Sequence, residues 1–127
     1  MTIATFNVMS NTFRRTVTAA SQAIPQPVLN AASLSGVGPV GTFFAPPLFY
    51  DHRFTNVGTQ AVFVTTAAPG AAAPTAAIPV DGANGPGFLV EAGGVRTFGF
   101  QYGTQFAAIA AAIGSDVYVT IGSGNNS

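Results

Sequence analysis

The fold is decided by residues 50–66, which read YDHRFTNVGTQAVFVTT. Side chains of two kinds alternate through the first half of this stretch, and a period of two predicts a β-strand with one buried face. One face would hold Tyr50, His52, Phe54 and Asn56, and the other Asp51, Arg53, Thr55 and Val57. Gly58 and Thr59 predict a turn, and residues 61–66 predict a returning strand. We therefore interpret the stretch as a β-hairpin.

The rest of the chain is divided into short segments by 15 Gly and 9 Pro. Alternating side chains predict further strands at residues 88–90, 95–102 and 116–121. Residues 3–20 fit two short strands or an extended arm, residues 36–47 and 67–77 fit loops, and residues 106–113 fit either a strand or a helical turn. Short strands between Gly/Pro turns are typical of a sandwich or barrel. We predict an all-β protein, an antiparallel β-sandwich of jelly-roll type. Residues 1–27 would form an extended N-terminal arm or strands, and residues 28–127 the sandwich.

The surface must be poor in charge. Of the 127 residues, 48 % are hydrophobic and 6 % are charged, whereas soluble domains average roughly 25 % charged residues. Four Arg, no Lys and four acids give a net charge of zero. A solitary monomer normally stays soluble through mixed surface charge, so we expect partner proteins to cover this surface.

Other environments for such a chain are disfavoured. No apolar run approaches the roughly 18 to 20 residues of a membrane-spanning helix, so we expect no membrane partner. Four arginines neutralise too few phosphates for nucleic-acid binding. The first residues lack a basic region followed by an apolar one, so we expect no secretory signal.

Catalytic, cofactor and metal sites find no support in the residue patterns. Residues 36–41 match G-x-G-x-x-G in letters, but no helix follows, so we interpret them as a loop. Asp51 and His52 are neighbours on one strand, so their side chains should point to opposite faces. We expect a partly exposed histidine beside a surface or interface pair of Asp51 and Arg53. With one His and no Cys, we predict no catalytic, cofactor or metal-binding residues and no enzyme activity.

Candidate interface residues come from two groups. Arginine is enriched at protein interfaces and lysine is depleted there, and phenylalanines in the Pro-rich loop are candidate anchors. The candidates are Arg14, Arg15, Phe43, Phe44, Phe49, Asp51 and Arg53.

The order of motifs in the second half resembles that of small structural proteins of tailed phages, capsid decoration (cement) proteins among them. The motifs are FTNVGTQAVFVTT, IPV, FLVEAGGVRTFGF and QFAAIAAAIGSDVYVTIGSG, the last ending in D-x-Y-V-T-x-G-x-G. The resemblance implies a homo-oligomeric β-sandwich docked on the major capsid protein. It also implies a place in the virion, on the surface of the phage head, after assembly in the host cytoplasm.

Three functions follow from these patterns. The first is a decoration protein that binds the major capsid protein and stabilises the head, as a dimer or trimer, with its N-terminal arm adding a strand to a neighbouring subunit. The second is a head–tail adaptor, tail or fibre-base protein of the same virion. The third is a carbohydrate- or receptor-binding β-sandwich module, in which we would expect the tryptophan that this chain lacks.

Overall fold

The computed structural model describes residues 7–8, 10–27, 49–82 and 87–123. The predicted loop at residues 36–47, with Phe43 and Phe44, lies outside these ranges. Every regular element within them is a strand, which confirms the all-β prediction. The strands are β1 (Asn7–Val8), β2 (Phe13–Val17), β3 (Gln22–Ile24), β4 (Phe49–Gly58), β5 (Val62–Ala67), β6 (Phe88–Val90), β7 (Val95–Gln101), β8 (Gln105–Ala110) and β9 (Ser115–Ser123).

The described strands form two antiparallel sheets packed face to face. Sheet I has the order β2-β9-β4-β7, with β1 beside β2 along the same edge of β9, and sheet II has the order β3-β8-β5-β6. The pairs β2·β9, β3·β8, β4·β7 and β5·β6 are those of one long hairpin. Rolling that hairpin brings β4 beside β9 and β5 beside β8. This is the jelly-roll arrangement of a β-sandwich, as predicted.

The hairpin predicted for residues 50–66 is wrong in its pairing, although both of its strands exist. β4 pairs with β7 and β9 in sheet I, whereas β5 pairs with β6 and β8 in sheet II. The chain therefore crosses from one sheet to the other through residues 59–61. The reason is that β4 bonds along nearly its whole length with both β7 and β9, which leaves neither of its edges for β5.

The corner between β4 and β5 requires a close approach of two backbone segments. Gly58 has a φ of +155°, and a Cβ there would lie 2.2 Å from the carbonyl oxygen of Gly114. The amide of Thr59 donates to that same carbonyl at 3.1 Å. Only glycine fits between these strands, and the turn signal seen in the sequence marks this corner.

Other ambiguous segments are resolved by the sheets. The segment at residues 106–113 forms a strand, β8, from Gln105 to Ala110. Residues 68–82 have no regular structure, so the prediction of a loop over residues 67–77 is confirmed except at Ala67, which ends β5. Within the N-terminal segment, residues 10–27 supply β2 to sheet I and β3 to sheet II.

A buried serine bridges an irregularity at the edge of sheet I. The pairing of β1 with β9 and that of β2 with β9 differ in register, since Val8 lies opposite Gly122 and Phe13 opposite Val119. Two extra residues therefore bulge out between β1 and β2. The Ser10 hydroxyl accepts the amide of Ile121 at 2.8 Å and so satisfies a buried donor that the bulge would leave unpaired.

The core lies between the sheets and consists of alternate residues from each strand. β-Branched and aromatic side chains form it, as expected for a pleated surface buried on one side. The main cluster contains Val17, Ile24, Phe54, Val62, Val64, Val90, Phe106, Ala108, Ala110, Val117 and Val119, with Phe13, Phe88 and Phe100 packed at its margin.

Candidate interaction surfaces

Charge is divided unequally between the two sheets. Six of the eight charged residues lie in strands of sheet I. They are Arg14, Arg15, Asp51, Arg53, Arg96 and Asp116. The remaining two, Asp81 and Glu91, lie in connections, so the described strands of sheet II contain no charged residue on either face. The charges of the described strands are therefore confined to sheet I.

The outer face of sheet I, which points away from sheet II, carries charged and hydroxyl side chains beside three exposed apolar ones, Phe49, Val57 and Val95. At one end, Asp116 accepts hydrogen bonds from Arg14 at 2.8 Å and Thr16 at 2.7 Å. These bonds, with Thr16 contributing most and Arg14 next, lower the pKa of Asp116 and keep the carboxylate ionised. Thr12 and Thr120 share a further hydrogen bond at 2.7 Å.

Four of the sequence-derived candidates lie together on this outer face. Phe49, Asp51 and Arg53 occupy alternate positions of β4, and Arg14 lies two strands away on β2. Phe49 is 62 % exposed, while Asp51 and Arg53 are half-buried.

The remaining described candidate lies elsewhere. Arg15 points to the other side of β2, where its guanidinium lies over the Phe13 ring, 5.2 Å from the centroid.

Asp51 lies in a shallow trough of the outer face. Its neighbour on β7 is Gly99 and its neighbour on β9 is Gly122, and neither has a side chain. A Cβ at position 99 would lie 3.8 Å from the Asp51 carboxylate. The carboxylate is therefore flanked by backbone on both sides, where a donor from another molecule could approach it.

The outer face of sheet II has no charged residue and is mostly apolar at its centre. Leu89, Phe63 and Ile109 lie side by side across β6, β5 and β8 and are all half-buried. We call these three residues the apolar row. The residues of the apolar row were not among the interface candidates predicted from the sequence. The signal that points to them is the absence of charge from four neighbouring strands, but those strands become neighbours only in the fold.

Part of the same outer face is covered by the chain itself. The Gln105 amide donates to the carbonyls of Ala68 at 3.2 Å and Ala71 at 2.6 Å. Farther on, the amide of Ala76 donates to the Ser21 hydroxyl at 2.9 Å. The Ala/Pro-rich loop is thereby held against β8 and the start of β3.

His52 differs from its prediction, because it is completely buried rather than partly exposed. Its Nδ1 lies 2.9 Å from the Tyr50 carbonyl, which accepts only, and its Nε2 lies 2.9 Å from the amide nitrogen of Gln26. Gln26 in turn accepts the amide of Gly103 at 3.2 Å. The ring is thus neutral and protonated on Nδ1. Burial lowers its pKa, while the Tyr50 hydrogen bond and the Asp51 charge act in the opposite direction.

Asp51 and His52 lie on opposite faces of β4, as the strand alternation predicted. In the ranges that the structure describes, no three His, Asp or Glu side chains come together as metal ligands. Nor does any helix in those ranges have the length and apolarity to cross a membrane.

The strand order defines the class of protein as a jelly-roll β-sandwich. Comparison with protein-family models, with curated proteins and with solved structures finds no match to this chain. Its function must therefore be inferred from the fold and the surfaces.

Proposed function

We propose that the protein is a structural component of a phage virion that decorates the capsid by binding the lattice of the major capsid protein. The observation behind this proposal is the two-sided sandwich, in which the charged residues of the strands belong to sheet I and sheet II has none. Interface centres are depleted of charge and rich in aromatic and apolar side chains. Sheet II has that chemistry.

Three further features support the proposal. The jelly roll occurs in viral capsid proteins, although it also occurs in lectins and cupins, so the fold alone does not assign a function. A chain with 6 % charged residues and no net charge suits a protein whose surface is covered in an assembly. The motif order of the second half resembles that of phage decoration proteins.

The docking geometry we propose places sheet II against the shell and the outer face of sheet I toward solvent. The apolar row then lies at the centre of the contact, where water is excluded and aromatic anchors contribute most. Arg14, Asp116 and the threonines around them keep the opposite face hydrated.

Copy number in purified particles is the first test. Quantitative mass spectrometry should find this chain in proportion to the major capsid protein. A copy number far below that of the capsid protein would contradict decoration and favour the head–tail adaptor or fibre-base alternative.

Binding to undecorated shells is the second test and identifies the face. Phe63→Lys introduces a charge into the apolar row, and we expect it to weaken shell binding at least about tenfold. Thr55→Lys introduces the same charge on the outer face of sheet I and is the matched control, with binding unchanged. Equal loss in both variants, or in neither, would contradict docking through sheet II.

A further inference from the structure

The outer edge of β7 is a second candidate interaction surface. β7 is the last strand of sheet I, and in the described residues its only ladder partner is β4. Within those residues, the outward-pointing backbone groups of this seven-residue strand have no ladder partner. Such an edge is a template for pairing with another strand.

The other sheet edges are protected in the ways that natural proteins use. β2 has two adjacent charges, Arg14 and Arg15. β3 is three residues long and is followed by Pro25 and Pro27. β6 is also three residues long. Among the described strands, β7 alone combines length with an uncovered edge.

The side chains of β7 suit an apolar contact. Phe98, at the centre of the strand, is 36 % exposed and packs on Phe88 with ring centroids 4.6 Å apart. Phe100 lies 6.0 Å from both rings. The only charge of the strand, Arg96, is neutralised by Glu91 at 2.8 Å. The edge is thus lined by partly exposed aromatic rings with no net charge.

We infer that β7 pairs with β7 of a second copy of this chain, antiparallel about a two-fold axis near Phe98. A two-fold axis between two edge strands makes them antiparallel, as all strands of sheet I are. The pairing joins sheet I of one copy to sheet I of the other in one continuous sheet.

In this register Phe98 meets its own counterpart, and Arg96 lies opposite Phe100 of the second copy. Arginine over an aromatic face is an attractive contact. The two Arg96 side chains are displaced along the strand by about 14 Å, which exceeds the screening length of roughly 10 Å at 0.1 M salt. The pairing is therefore self-complementary, with aromatic rings at its centre and no like charges opposed.

This dimer is independent of the proposed function, because it uses a sheet edge and leaves the outer face of sheet II free. The charge-neutral chain adds no long-range repulsion between copies. We therefore propose a second copy of this chain as the partner of β7. Pairing with a strand of another protein would give a complex whose mass is not twice that of the chain.

Mass in solution is the first arm of the test. Sedimentation equilibrium of the full chain should give twice the 12.8 kDa chain mass. Phe98→Lys places a charge on the edge and should raise the dissociation constant at least about tenfold. Ile113→Lys, at a position 68 % exposed in the β8–β9 connection, is the matched control and should remain dimeric. A monomeric wild type, or a Phe98→Lys variant that stays dimeric, would overturn the inference.

Cross-linking is the second arm and does not depend on how well Phe98→Lys folds. The chain has no cysteine, so an introduced thiol can pair only with its counterpart. Residues opposed across antiparallel strands have Cα atoms about 4.5 to 5.5 Å apart, within the range for a disulfide. Phe98→Cys should oxidise to a covalent dimer, and Ile113→Cys should not. Equal yields from the two variants would overturn the proposed pairing.

Discussion

At the scale of single residues, His52 is a structural group that joins the two sheets. Its hydrogen bonds run from Tyr50 on β4 through the ring to Gln26, which follows β3, and on to Gly103. The rings of Phe100 and Phe106 pack against it at 5.5 and 5.4 Å. Protonation would convert Nε2 from an acceptor into a donor facing the Gln26 amide, and would place a charge on a completely buried ring.

The stability of the protein should therefore depend on pH through His52. The pKa of His52 is lowered from its ordinary value of 6.5, so the unfolded chain binds this proton more readily than the folded one. The contribution is fully present above about pH 6.5 and is lost as the pH falls below it, at up to about 1.4 kcal/mol per pH unit.

Urea unfolding at a series of pH values measures this slope, with His52→Gln as the control that has no proton to bind. Carboxylates such as Asp116, whose pKa is also lowered, contribute only at more acidic pH. A wild-type slope equal to that of His52→Gln between pH 6.5 and pH 5 would contradict the assignment.

Asn56 is a second residue whose role is structural. Its side-chain amide donates to the carbonyls of Gln60 at 2.7 Å and Val90 at 3.1 Å, both near the end of the sandwich where the chain changes sheets. We expect Asn56→Ala to destabilise the protein by about 2 kcal/mol, because both hydrogen bonds are lost in a buried site, although the Gln60 carbonyl keeps the Ser115 hydroxyl as a donor.

Urea unfolding of Asn56→Ala against Thr55→Ala tests this expectation. Thr55 is the next residue along β4 and points to the outer face, so its truncation should cost about 0.5 kcal/mol. Equal losses in the two variants would show that the amide does not hold the corner.

At the scale of elements, the corner after β4 decides which strands become partners. Gly58 allows β4 and the start of β9 to approach closely before the chain turns into sheet II. We expect Gly58→Ala to cost more than about 3 kcal/mol, because the added methyl meets backbone rather than a movable side chain.

Gly70→Ala is the control for this substitution. Gly70 also has a positive φ, +78°, but no atom lies within 4 Å of an added Cβ. Gly70→Ala should lower the free energy of unfolding by about 1 kcal/mol, which is the cost of the backbone conformation alone. Thermal unfolding of both variants measures the difference, and comparable losses would show that the close approach at Gly58 is unimportant.

At the scale of the whole molecule, the N-terminal segment belongs to the sandwich. β4 pairs with one edge of β9 and β2 pairs with the other. Val17 of β2 is completely buried in the core. We expect deletion of residues 1–20 to abolish cooperative thermal unfolding, since it exposes that edge and opens the core. Circular dichroism during heating tests this, and a deletion variant with a sharp transition would contradict it.

The deletion also bears on the idea of an arm that reaches a neighbouring subunit. Residues 10–27 already contribute strands to both sheets of their own chain. A strand added to a neighbour by this part of the segment would have to leave the sandwich first, at the cost of the β2 and β3 ladders. The β7 edge needs no such rearrangement.

Local side-chain patterns predicted the strands β4, β5, β6, β7 and β9. Alternation through residues 50–57 correctly assigned the two faces of β4, because side chains on a strand point to opposite sides regardless of its partners. The many short segments and the dense turns predicted a sandwich or a barrel, and the resemblance to phage structural proteins favoured the sandwich. Residues 106–113 stayed ambiguous, because apolar residues at this spacing fit either a short strand or a helical turn.

The candidate surfaces were only partly predictable. Arg14, Asp51 and Arg53 were chosen for their residue types, and the sheet then placed them on one face. The apolar row could not be read from the sequence, since Phe63, Leu89 and Ile109 are far apart along the chain.

The sequence by itself determined that the chain forms short strands of an all-β fold and that its surface is nearly free of charge. The tertiary structure alone decided that β4 and β5 belong to different sheets, that His52 is buried, and that the charges of the strands lie in one sheet. The physical reason is distance along the chain. Alternation and turns act between neighbouring residues, whereas strand partners, burial and the two-sided surface arise from ladders between distant segments.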